Sequence, residues 1–530
     1  MPRTAIQNPP SPPPRAPASR KAACRSGARA RMARRMKRAS MRARSLPNET
    51  RTSNAREAWE CGDRSPLSAG DWSPSTLGRL RLLPATATGE AGPPRCPPCC
   101  GTRPGGADQS ARRQKLRPVA ALPSMSSVER IAERARAALN GRTAAGRLRR
   151  LEARPAKAPW LNLADNDYLG LARDPAVVAA AADAARVWGA SASASPLLTG
   201  YTELHAELER ALAAWHGYPH GLVWNSGFAA NAAVLGGLPR RGDVVLADRL
   251  IHASMVAGIL RSGARLRRFP HNDLGALRVM LAEAAERRSP TRQLPGGEAN
   301  EHAGSETGAP AVFVVTESIY SMDGDGPDLA ALAQLRKEFG FLWVLDEAHA
   351  TGWFGPTGAG ALEAQGCPGE PDVLVGTLGK SLGAQGAYTL FRDGALREWL
   401  LNEAAEFIYS TYLAPPAVGA ALAALERIHE LGGERAQWHA LSRSWRTAMQ
   451  QVGAEVPEGD SPIVPVRLGS AARAVNVQRA LRERGFRVSC IRPPTVPEGT
   501  ARLRVSLRRG LTEAQRDAFA AALTEAWSCA

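Results

Sequence analysis

Apolar runs that alternate with helical patterns constrain the fold of this chain most strongly. Four such runs follow one another in its centre: AVFVVT (311–316), FLWVLD (341–346), DVLVGT (372–377) and AYTLF (387–391). Continuous apolar runs of this length are typical of strands buried on both faces of a parallel sheet. Strand and helix patterns also alternate over residues 203–287. The sequence therefore predicts an α/β layered domain with a mainly parallel sheet.

The pattern changes on both sides of this region. Beyond about residue 415 it shifts to longer helices and three short strand patterns, PIVPVRL, FRVSCI and RLRVSL. We expect a large domain at 166–415, a smaller α+β domain at 416–530 and a helical segment at 125–165. In that segment, Val128–Leu151 is predicted to form an Arg-rich amphipathic helix. The Gly- and Pro-rich stretch 289–310 predicts a surface insertion.

Residues 1–124 differ from the rest of the chain in charge. They contain 24 of the 68 Lys and Arg residues but only 7 of the 50 Asp and Glu residues, and 18 of the 40 prolines. Such a segment buries too little apolar surface to offset its ordering entropy, which predicts a disordered basic extension. Three explanations stay open: a start assigned upstream of a native Met125, a transit segment, or a nucleic-acid-binding tail. We favour the first and expect no nucleic-acid partner.

Membrane, metal and disulfide chemistry receive little support from the sequence. No stretch approaches 18 consecutive apolar residues, so we expect no transmembrane helix. Cys96, Cys99 and Cys100 include one C-x-x-C pair, but no second pair follows at the spacing of a zinc site. The three cysteines beyond residue 124, Cys367, Cys490 and Cys529, are widely separated and suit a reducing compartment. We expect a cytoplasmic protein, or a mitochondrial one if the extension is a transit segment.

Polar residues cluster where the predicted strands end. Ligands bind outside the carboxyl ends of strands in open α/β sheets, so we take these residues as one site. They are Asn225 to Phe228, Asp248 with His252, Glu317 with Ser321, Asp346 with His349, and Thr377 with Lys380.

Lys380 lies in TLGKSLG, directly after a buried strand pattern. Burial lowers the pKa of a lysine ammonium and prepares the amine to form a Schiff base. A phosphate-binding P-loop also contains Gly-Lys-Ser, but it requires a glycine where this chain has Leu374. The sequence therefore favours a Schiff-base lysine.

The other strand-end residues each allow two interpretations. Asp346 can hold a pyridinium nitrogen protonated, or it can cap a helix beside a structural His349. SGFAAN (226–231) opens a predicted helix whose free N–H groups suit a phosphate, although helix starts are common. His252 can lie over a planar cofactor, although a single histidine is more often structural.

Together these blocks resemble the α-oxoamine synthases, a family of fold-type I pyridoxal-phosphate enzymes. The resemblance runs from about Val128 to Leu523. It rests on ordered blocks, among them NDYLGL (166–171), LLTGY (197–201), DRLIHAS (248–254), FPHND (269–273), TESIYSMDGD (316–325), DEAHATG (346–352) and TLGKSLGAQGA (377–387).

The resemblance implies pyridoxal 5′-phosphate as cofactor and assigns roles at the matching positions. It implies a Schiff base and proton transfer at Lys380, a pyridinium contact from Asp346, and ring stacking, catalysis and substrate contact by His252. It places Gly227 and Phe228 beside the cofactor, Thr377 near its phosphate, and His349 with Ser321 near its phenolic oxygen. For substrates, it implies Arg149 at the acyl group and Asn166, Thr495 and Arg504 as contacts, Arg504 holding the amino-acid carboxylate.

Substrate choice depends on IRPPTVPEGTARLR (491–504). Its Arg-Pro-Pro-Thr resembles the family members that join L-alanine to a pimeloyl thioester in biotin biosynthesis, with coenzyme A or an acyl-carrier protein as carrier. The alternatives are 2-amino-3-ketobutyrate coenzyme A ligase, 5-aminolevulinate synthase, serine palmitoyltransferase and a non-catalytic partner subunit. The resemblance also implies a homodimer with its active sites at the subunit interface.

Overall fold

The computed structural model describes residues 125–288 and 310–528, with no side-chain detail at 287, 288 and 528. The predicted extension 1–124 and nearly all of the predicted insertion 289–310 lie outside the described residues. The strands are β1 (Leu161–Leu163), β2 (His220–Trp224), β3 (Val244–Asp248), β4 (Arg265–Phe269), β5 (Val312–Glu317), β6 (Leu342–Asp346), β7 (Val373–Thr377), β8 (Ala387–Phe391), β9 (Ile463–Gly469), β10 (Phe486–Ile491) and β11 (Ala501–Ser506). The α-helices are α1 (Ser127–Ala144), α2 (Pro175–Trp188), α3 (Glu203–His216), α4 (Gly227–Gly237), α5 (Ala253–Ser262), α6 (Leu274–Arg288), α7 (Leu329–Phe339), α8 (Ala361–Ala364), α9 (Gly394–Glu403), α10 (Ala405–Ile408), α11 (Pro415–Glu430), α12 (Arg435–Gln451), α13 (Ala471–Glu483) and α14 (Glu513–Ser528).

The larger sheet has seven strands in the order β2-β8-β7-β6-β5-β3-β4. Strand β8 runs antiparallel to both of its neighbours, whereas the pairs from β7 to β4 are parallel. Every residue of β5, β7 and β8 is buried, as expected for central strands covered on both faces. The predicted α/β fold with a mainly parallel sheet is confirmed.

The smaller sheet has four strands in the order β1-β10-β11-β9. Strand β1 precedes the large sheet in the chain, yet it pairs in parallel with β10 near the carboxyl terminus. Leu163 is fully buried in a second hydrophobic core with Trp445 and Phe519. The predicted C-terminal α+β region is present, with a strand added from the N-terminal segment.

The predicted domain boundary at residue 416 remains a prediction. Helix α11 packs on α2, and its buried residues Val418, Leu425 and Ile428 belong to the core of the large sheet. This helix therefore lies against the larger core, although the sequence pattern already changes there.

The first helix is shorter than predicted. Instead of continuing to Leu151, α1 ends at Ala144, and Gly146 follows with a left-handed φ of 64°. A glycine adopts this conformation at little steric cost, and its N–H closes the turn onto the carbonyl of Thr143. None of the α1 residues is buried, so the predicted apolar face packs on nothing within the described residues.

The fold brings the predicted site residues to one edge of the large sheet. Glu317, Asp346 and Thr377 are the last residues of the adjacent strands β5, β6 and β7, and Asp248 ends the next strand, β3. Parallel strands place their carboxyl ends at the same edge, where a ligand can reach all of them.

Candidate active site

Lys380 lies in a turn that follows β7. The turn is closed by hydrogen bonds from Gly383 N–H to the Lys380 carbonyl (2.8 Å) and from Leu378 N–H to the Gly386 carbonyl (2.9 Å). Gly383 has a left-handed φ of 62°, and a Cβ there would overlap the backbone of Ala172. The glycines of TLGKSLG therefore allow the close approach that brings Lys380 to the sheet edge.

The amine of Lys380 contacts His349. Lys380 Nζ lies 2.8 Å from His349 Nε2. Burial lowers the pKa of Lys380 to about 8, against the opposing effect of the Asp346 and Glu317 carboxylates. Burial, together with the charges of Lys380 and Arg504, holds the pKa of His349 well below its ordinary value. At neutral pH the site therefore combines a neutral imidazole with an amine that readily loses its proton.

Tyr168 connects His349 to Arg504. Its Oη lies 2.8 Å from His349 Nδ1, donates to Asn166 Oδ1 (3.1 Å) and accepts from Arg504 Nη2 (3.1 Å). Tyr168 is fully buried, and burial raises the pKa of its hydroxyl. The hydroxyl therefore stays protonated and serves as a fixed hydrogen-bonding link.

Arg504 is held on three sides. Its Nε donates to the Ser321 carbonyl (2.6 Å), and its Nη1 donates to Asn166 Oδ1 (3.0 Å) and Ser506 Oγ (2.8 Å). The Arg504 side chain is almost completely buried. Its hydrogen bonds offset the free energy that is lost when the charged guanidinium is removed from water. The structure thus joins the predicted residues Asn166, Ser321, His349, Lys380 and Arg504 in one network.

Asp346 is buried beside this network and is held by two donors. Asn231 Nδ2 donates to its Oδ2 (2.8 Å), and the Ala348 N–H donates to its Oδ1 (2.8 Å). Asn231 comes from the second turn of α4. The Ala348 contact resembles a capping bond, whereas the Asn231 contact fixes the carboxylate toward the site.

His252 and Glu317 form a second pair at the edge of the sheet. The His252 N–H donates to Glu317 Oε1 (2.6 Å), and His252 Nδ1 lies 2.7 Å from Ser254 Oγ at the start of α5. His252 as a residue is exposed. Burial and the nearby Asp346 raise the pKa of Glu317 well above its ordinary value.

The start of α4 offers free backbone donors. The Ser226 side chain accepts the Ala229 N–H (3.1 Å), and the Ser226 carbonyl accepts the Ala230 N–H. The N–H groups of Gly227 and Phe228 remain outside the hydrogen bonds of the helix, as expected for a first turn. Thr377, by contrast, shapes the lysine turn: its Oγ1 donates to the Gly386 carbonyl and accepts the Gly379 N–H.

Arg149 and Thr495 contact each other away from the lysine. Arg149 Nη2 donates to Thr495 Oγ1 (3.1 Å), and both residues are exposed. Within the described ranges, no hydrogen bond connects this pair to Lys380 or Asp346. Arg149, predicted at the acyl group, and Thr495, predicted as a substrate contact, therefore lie outside the hydrogen-bond network of Lys380 in the described residues.

Two contacts of the site were absent from the predicted site residues: Tyr168 and Asn231. Both lie inside sequence blocks named above, NDYLGL and SGFAAN. Asn231 lies four residues after Gly227, so the helical repeat places it on the same face of α4. Glu317 was noted as a strand-end residue but was assigned no role.

The residues present fit pyridoxal phosphate. They supply an amine of lowered pKa, a buried carboxylate held by two donors, and free N–H groups at a helix start. Over residues 125–288 and 310–528, no group of three or more His, Cys, Asp or Glu side chains is arranged to hold a metal ion. No helix in the same residues is long and apolar enough to span a membrane.

Sequence comparison gives consistent matches. The family model for aminotransferase class I and II matches residues 158–523. The chain is 46% identical over 363 residues to the 8-amino-7-oxononanoate synthase of Anaeromyxobacter dehalogenans strain 2CP-1, covering 68% of this chain and 85% of the relative. It is 41% identical to the enzyme of that name from Geobacter sulfurreducens, covering 68% of this chain and 87% of the relative.

Solved structures give the same fold. The serine palmitoyltransferase of S. paucimobilis with a bound PLP–myriocin aldimine superposes with a TM-score of 0.67 at 27% identity, covering 76% of this chain and 99% of that one. The 8-amino-7-oxononanoate synthase of Francisella tularensis superposes with a TM-score of 0.56 at 26% identity, covering 69% and 97%.

Proposed function

The chain belongs to the 8-amino-7-oxononanoate synthases, pyridoxal-phosphate-dependent acyltransferases of the class I and II aminotransferase family, and we propose that its substrates are L-alanine and a pimeloyl thioester. The products are 8-amino-7-oxononanoate, carbon dioxide and the free thiol of the carrier. One observation carries the proposal: the Lys380 amine lies against His349, next to an Asp346 carboxylate fixed by Asn231.

Each cofactor contact follows from this arrangement. Bound pyridoxal phosphate supplies an electron sink for negative charge at the α-carbon of an amino acid. Lys380 would attach the cofactor through Nζ, and Asp346 would keep its ring nitrogen protonated. His252 would lie against its ring. The N–H groups of Gly227 and Phe228, with Thr377 nearby, would bind its phosphate, and His349 and Ser321 would hold its phenolic oxygen.

Lys380 also moves the substrate protons. Whenever the Lys380 amine is not attached to the cofactor, its pKa of about 8 would leave a substantial neutral fraction at physiological pH. A base of this pKa takes the α-proton efficiently and returns a proton later in the cycle. His349 accepts a hydrogen bond from the ammonium form and so keeps the amine directed into the site.

Arg504 and Asn166 select the amino acid. The Arg504 guanidinium binds the alanine carboxylate, and Asn166 and Tyr168 hold that guanidinium in place. Arg149 and Thr495 bind the acyl substrate from the other side. The hydrogen bond between Arg149 and Thr495 holds the two side chains next to each other on the protein surface.

We further propose that the enzyme is a homodimer. Exposed apolar side chains come from three neighbouring segments: Leu198 is 77% exposed, Phe228 is 56% exposed and Tyr409 is 83% exposed. The segments are joined by the Tyr412 N–H to the Ala194 carbonyl (3.0 Å) and by Asn225 Nδ2 to the Thr411 carbonyl (2.7 Å). A second copy covering this patch would bury it beside the α4 start. Leu198→Asp should shift the protein toward monomer in sedimentation analysis.

We extend this proposal to the cellular compartment of the enzyme and to the carrier of the pimeloyl group. The free cysteines Cys367 and Cys490 suit a reducing compartment, which supports a cytoplasmic location. Either coenzyme A or an acyl-carrier protein can present the pimeloyl thioester.

The test of the function is a product assay with defined substrates. Purified holoenzyme is given pimeloyl-CoA with L-alanine, glycine or L-serine, and carbon dioxide and the amino ketone are measured by mass spectrometry. Turnover with L-alanine above the other two amino acids is expected. Preference for glycine or L-serine would assign a sister activity, and binding of cofactor without turnover of any pair would support the non-catalytic alternative. Replacing pimeloyl-CoA with pimeloyl-acyl-carrier protein identifies the preferred carrier.

A further inference from the structure

His271 lies between two carboxylates at the edge of the large sheet where β3 ends. Its Nδ1 is 3.0 Å from Asp248 Oδ1, and its Nε2 is 3.1 Å from Asp325 Oδ2. Burial lowers the pKa of His271, but the hydrogen bonds and charges of Asp248 and Asp325 outweigh burial and raise it to about 10. The imidazolium therefore donates to both carboxylates at once.

Asp248 is the fixed end of this bridge. It is fully buried at the end of β3, and it also accepts the N–H groups of Leu250 (2.7 Å) and Asn272 (2.8 Å). These bonds tie it to the backbone of two turns. Asp325, in contrast, has a side chain 46% exposed and belongs to the loop that follows β5.

The loop at the other end of the bridge, Tyr320–Asp325, contacts Arg504. Its Ser321 carbonyl accepts from Arg504 Nε, and its Asp323 pairs with Arg502. The loop closes on itself through the Tyr320 N–H to the Asp325 carbonyl (2.7 Å). The Tyr320 ring also packs edge-on against the His271 ring, with centroids 4.5 Å apart.

We propose that His271 is a positioning residue for substrate binding. By bridging Asp248 and Asp325 it holds the loop Tyr320–Asp325 against the end of β3, and the loop in turn fixes where Arg504 presents its guanidinium. His271 itself contacts neither Lys380 nor Asp346 by a hydrogen bond in the described residues. Its effect is therefore on the amino-acid carboxylate, which rests on the proposed role of Arg504.

The test compares His271→Gln and Asp325→Asn holoenzymes with the wild type. Gln retains one hydrogen bond but no charge, and Asp325→Asn removes only the exposed end of the bridge. His429→Gln is the control, because His429 is an exposed histidine on α11. Three quantities are measured: hydrogen exchange of peptides covering 318–326, the Kd for L-alanine from cofactor absorbance, and the KM for pimeloyl-CoA.

Both variants should exchange faster in 318–326 and bind L-alanine about tenfold more weakly, as expected for the loss of a hydrogen bond between charged groups. The KM for pimeloyl-CoA should stay within about twofold, and the double variant should be no weaker than the singles because both break one bridge. Unchanged exchange and unchanged Kd would overturn the proposal. So would an equal loss for both substrates, since that indicates general destabilisation.

A failure of the His271 proposal can be distinguished from a failure of the proposed function. If the wild type fails to bind L-alanine but binds glycine or L-serine, the proposed substrate is wrong. The His271 variants are then titrated with the amino acid that binds, and the same tenfold weakening is expected. A normal Kd for that amino acid in both variants would overturn the role of His271 alone.

Discussion

Lys380 Nζ lies 2.8 Å from His349 Nε2, and the opposite ring nitrogen of His349 lies 2.8 Å from Tyr168 Oη. A neutral imidazole carries one proton, so an ammonium at Lys380 requires that proton to be on Nδ1 and directed at Tyr168. The Tyr168 hydroxyl then donates to Asn166 Oδ1. Each hydrogen bond in the series Lys380, His349, Tyr168 and Asn166 therefore has one donor and one acceptor. This series connects the reactive amine to the residues that surround Arg504.

Borohydride reduction of the holoenzyme should attach the cofactor to Lys380 alone. The chain has six lysines, of which Lys157 and Lys337 are the others in the described residues. Burial lowers the pKa of Lys380 to about 8, which leaves its amine ready to react with the cofactor aldehyde. Peptide mapping by mass spectrometry identifies the reduced adduct. Lys380→Ala should lose the visible cofactor band, whereas Lys337→Ala should keep it; an adduct on another lysine would refute the assignment.

Cofactor uptake by the cofactor-free protein should depend on pH with a midpoint near 8. The neutral amine reacts, and its fraction rises about tenfold per unit below the pKa of about 8 and is constant above it. Glu317→Gln removes a carboxylate that raises this pKa, so its midpoint should move to lower pH. Stopped-flow absorbance gives the rates. A midpoint above 10 in the wild type would show that the amine is not buried as described.

Asp346→Asn should reduce kcat/KM by about 10²- to 10³-fold, because a neutral amide no longer stabilises positive charge on the cofactor ring. Asn231→Ala should cost about tenfold through loss of one hydrogen bond to the carboxylate. Asn402→Ala serves as the control, because Asn402 bonds only to a carbonyl on exposed α9. Equal activities for Asn231→Ala and Asn402→Ala would contradict the positioning of Asp346.

Arg504→Lys should raise the KM for L-alanine by about tenfold while the KM for pimeloyl-CoA changes little. Lysine keeps the charge but loses the planar fork that bonds to Asn166, Tyr168 and the Ser321 carbonyl. Steady-state kinetics with each substrate varied in turn measure the difference. Arg516→Lys, on the surface of α14, should leave both values unchanged. A larger effect on the thioester would reverse the assignment of the two substrates.

Gly360→Ala should destabilise the protein by about 3 kcal/mol, since strain and a steric clash add. Gly360 has φ of 122°, and a Cβ there would overlap Oε2 of the buried Glu347. Glu347 follows Asp346 and accepts the N–H groups of Ala361 and Leu362. Gly141→Ala is the control, because it lies inside α1 with open space around it and should be neutral or slightly stabilising. Denaturant unfolding compares the two variants.

The sequence predicted the order of strands and helices because apolar periodicity records burial directly. The strand Ala387–Phe391 coincides with its predicted range, and the strand Val373–Thr377 lies within the predicted 372–377. Strand β1 has only three residues, which is too few for a pattern to show its partner. The end of α1 was missed because apolar and basic residues continue beyond Gly146 with helical spacing.

The sequence indicated which residues lie at the site but not which of them contact each other. Strand ends identified Lys380, Asp346 and His349, since topology brings the ends of parallel strands together. Spacing along the chain could not show that His349 faces the lysine while Asp346 faces Asn231. Nor could it indicate Tyr168, which lies far from His349 in the chain and meets it through packing in the core of the larger sheet.

The parallel pairing of β1 with β10 determines when the enzyme becomes competent during synthesis. The ribosome releases Leu161–Leu163 early, whereas Phe486–Ile491, with which it pairs, is among the last segments to emerge. The core around the seven-stranded sheet also includes Ile428 and Ile463, so it is complete only after most of the chain has been made. Tyr168 and Asn166 can contact Arg504 only once the end of the chain has emerged. A chain that stops before Arg504 therefore contains Lys380 and Asp346 but lacks the guanidinium that we propose to bind the amino-acid carboxylate.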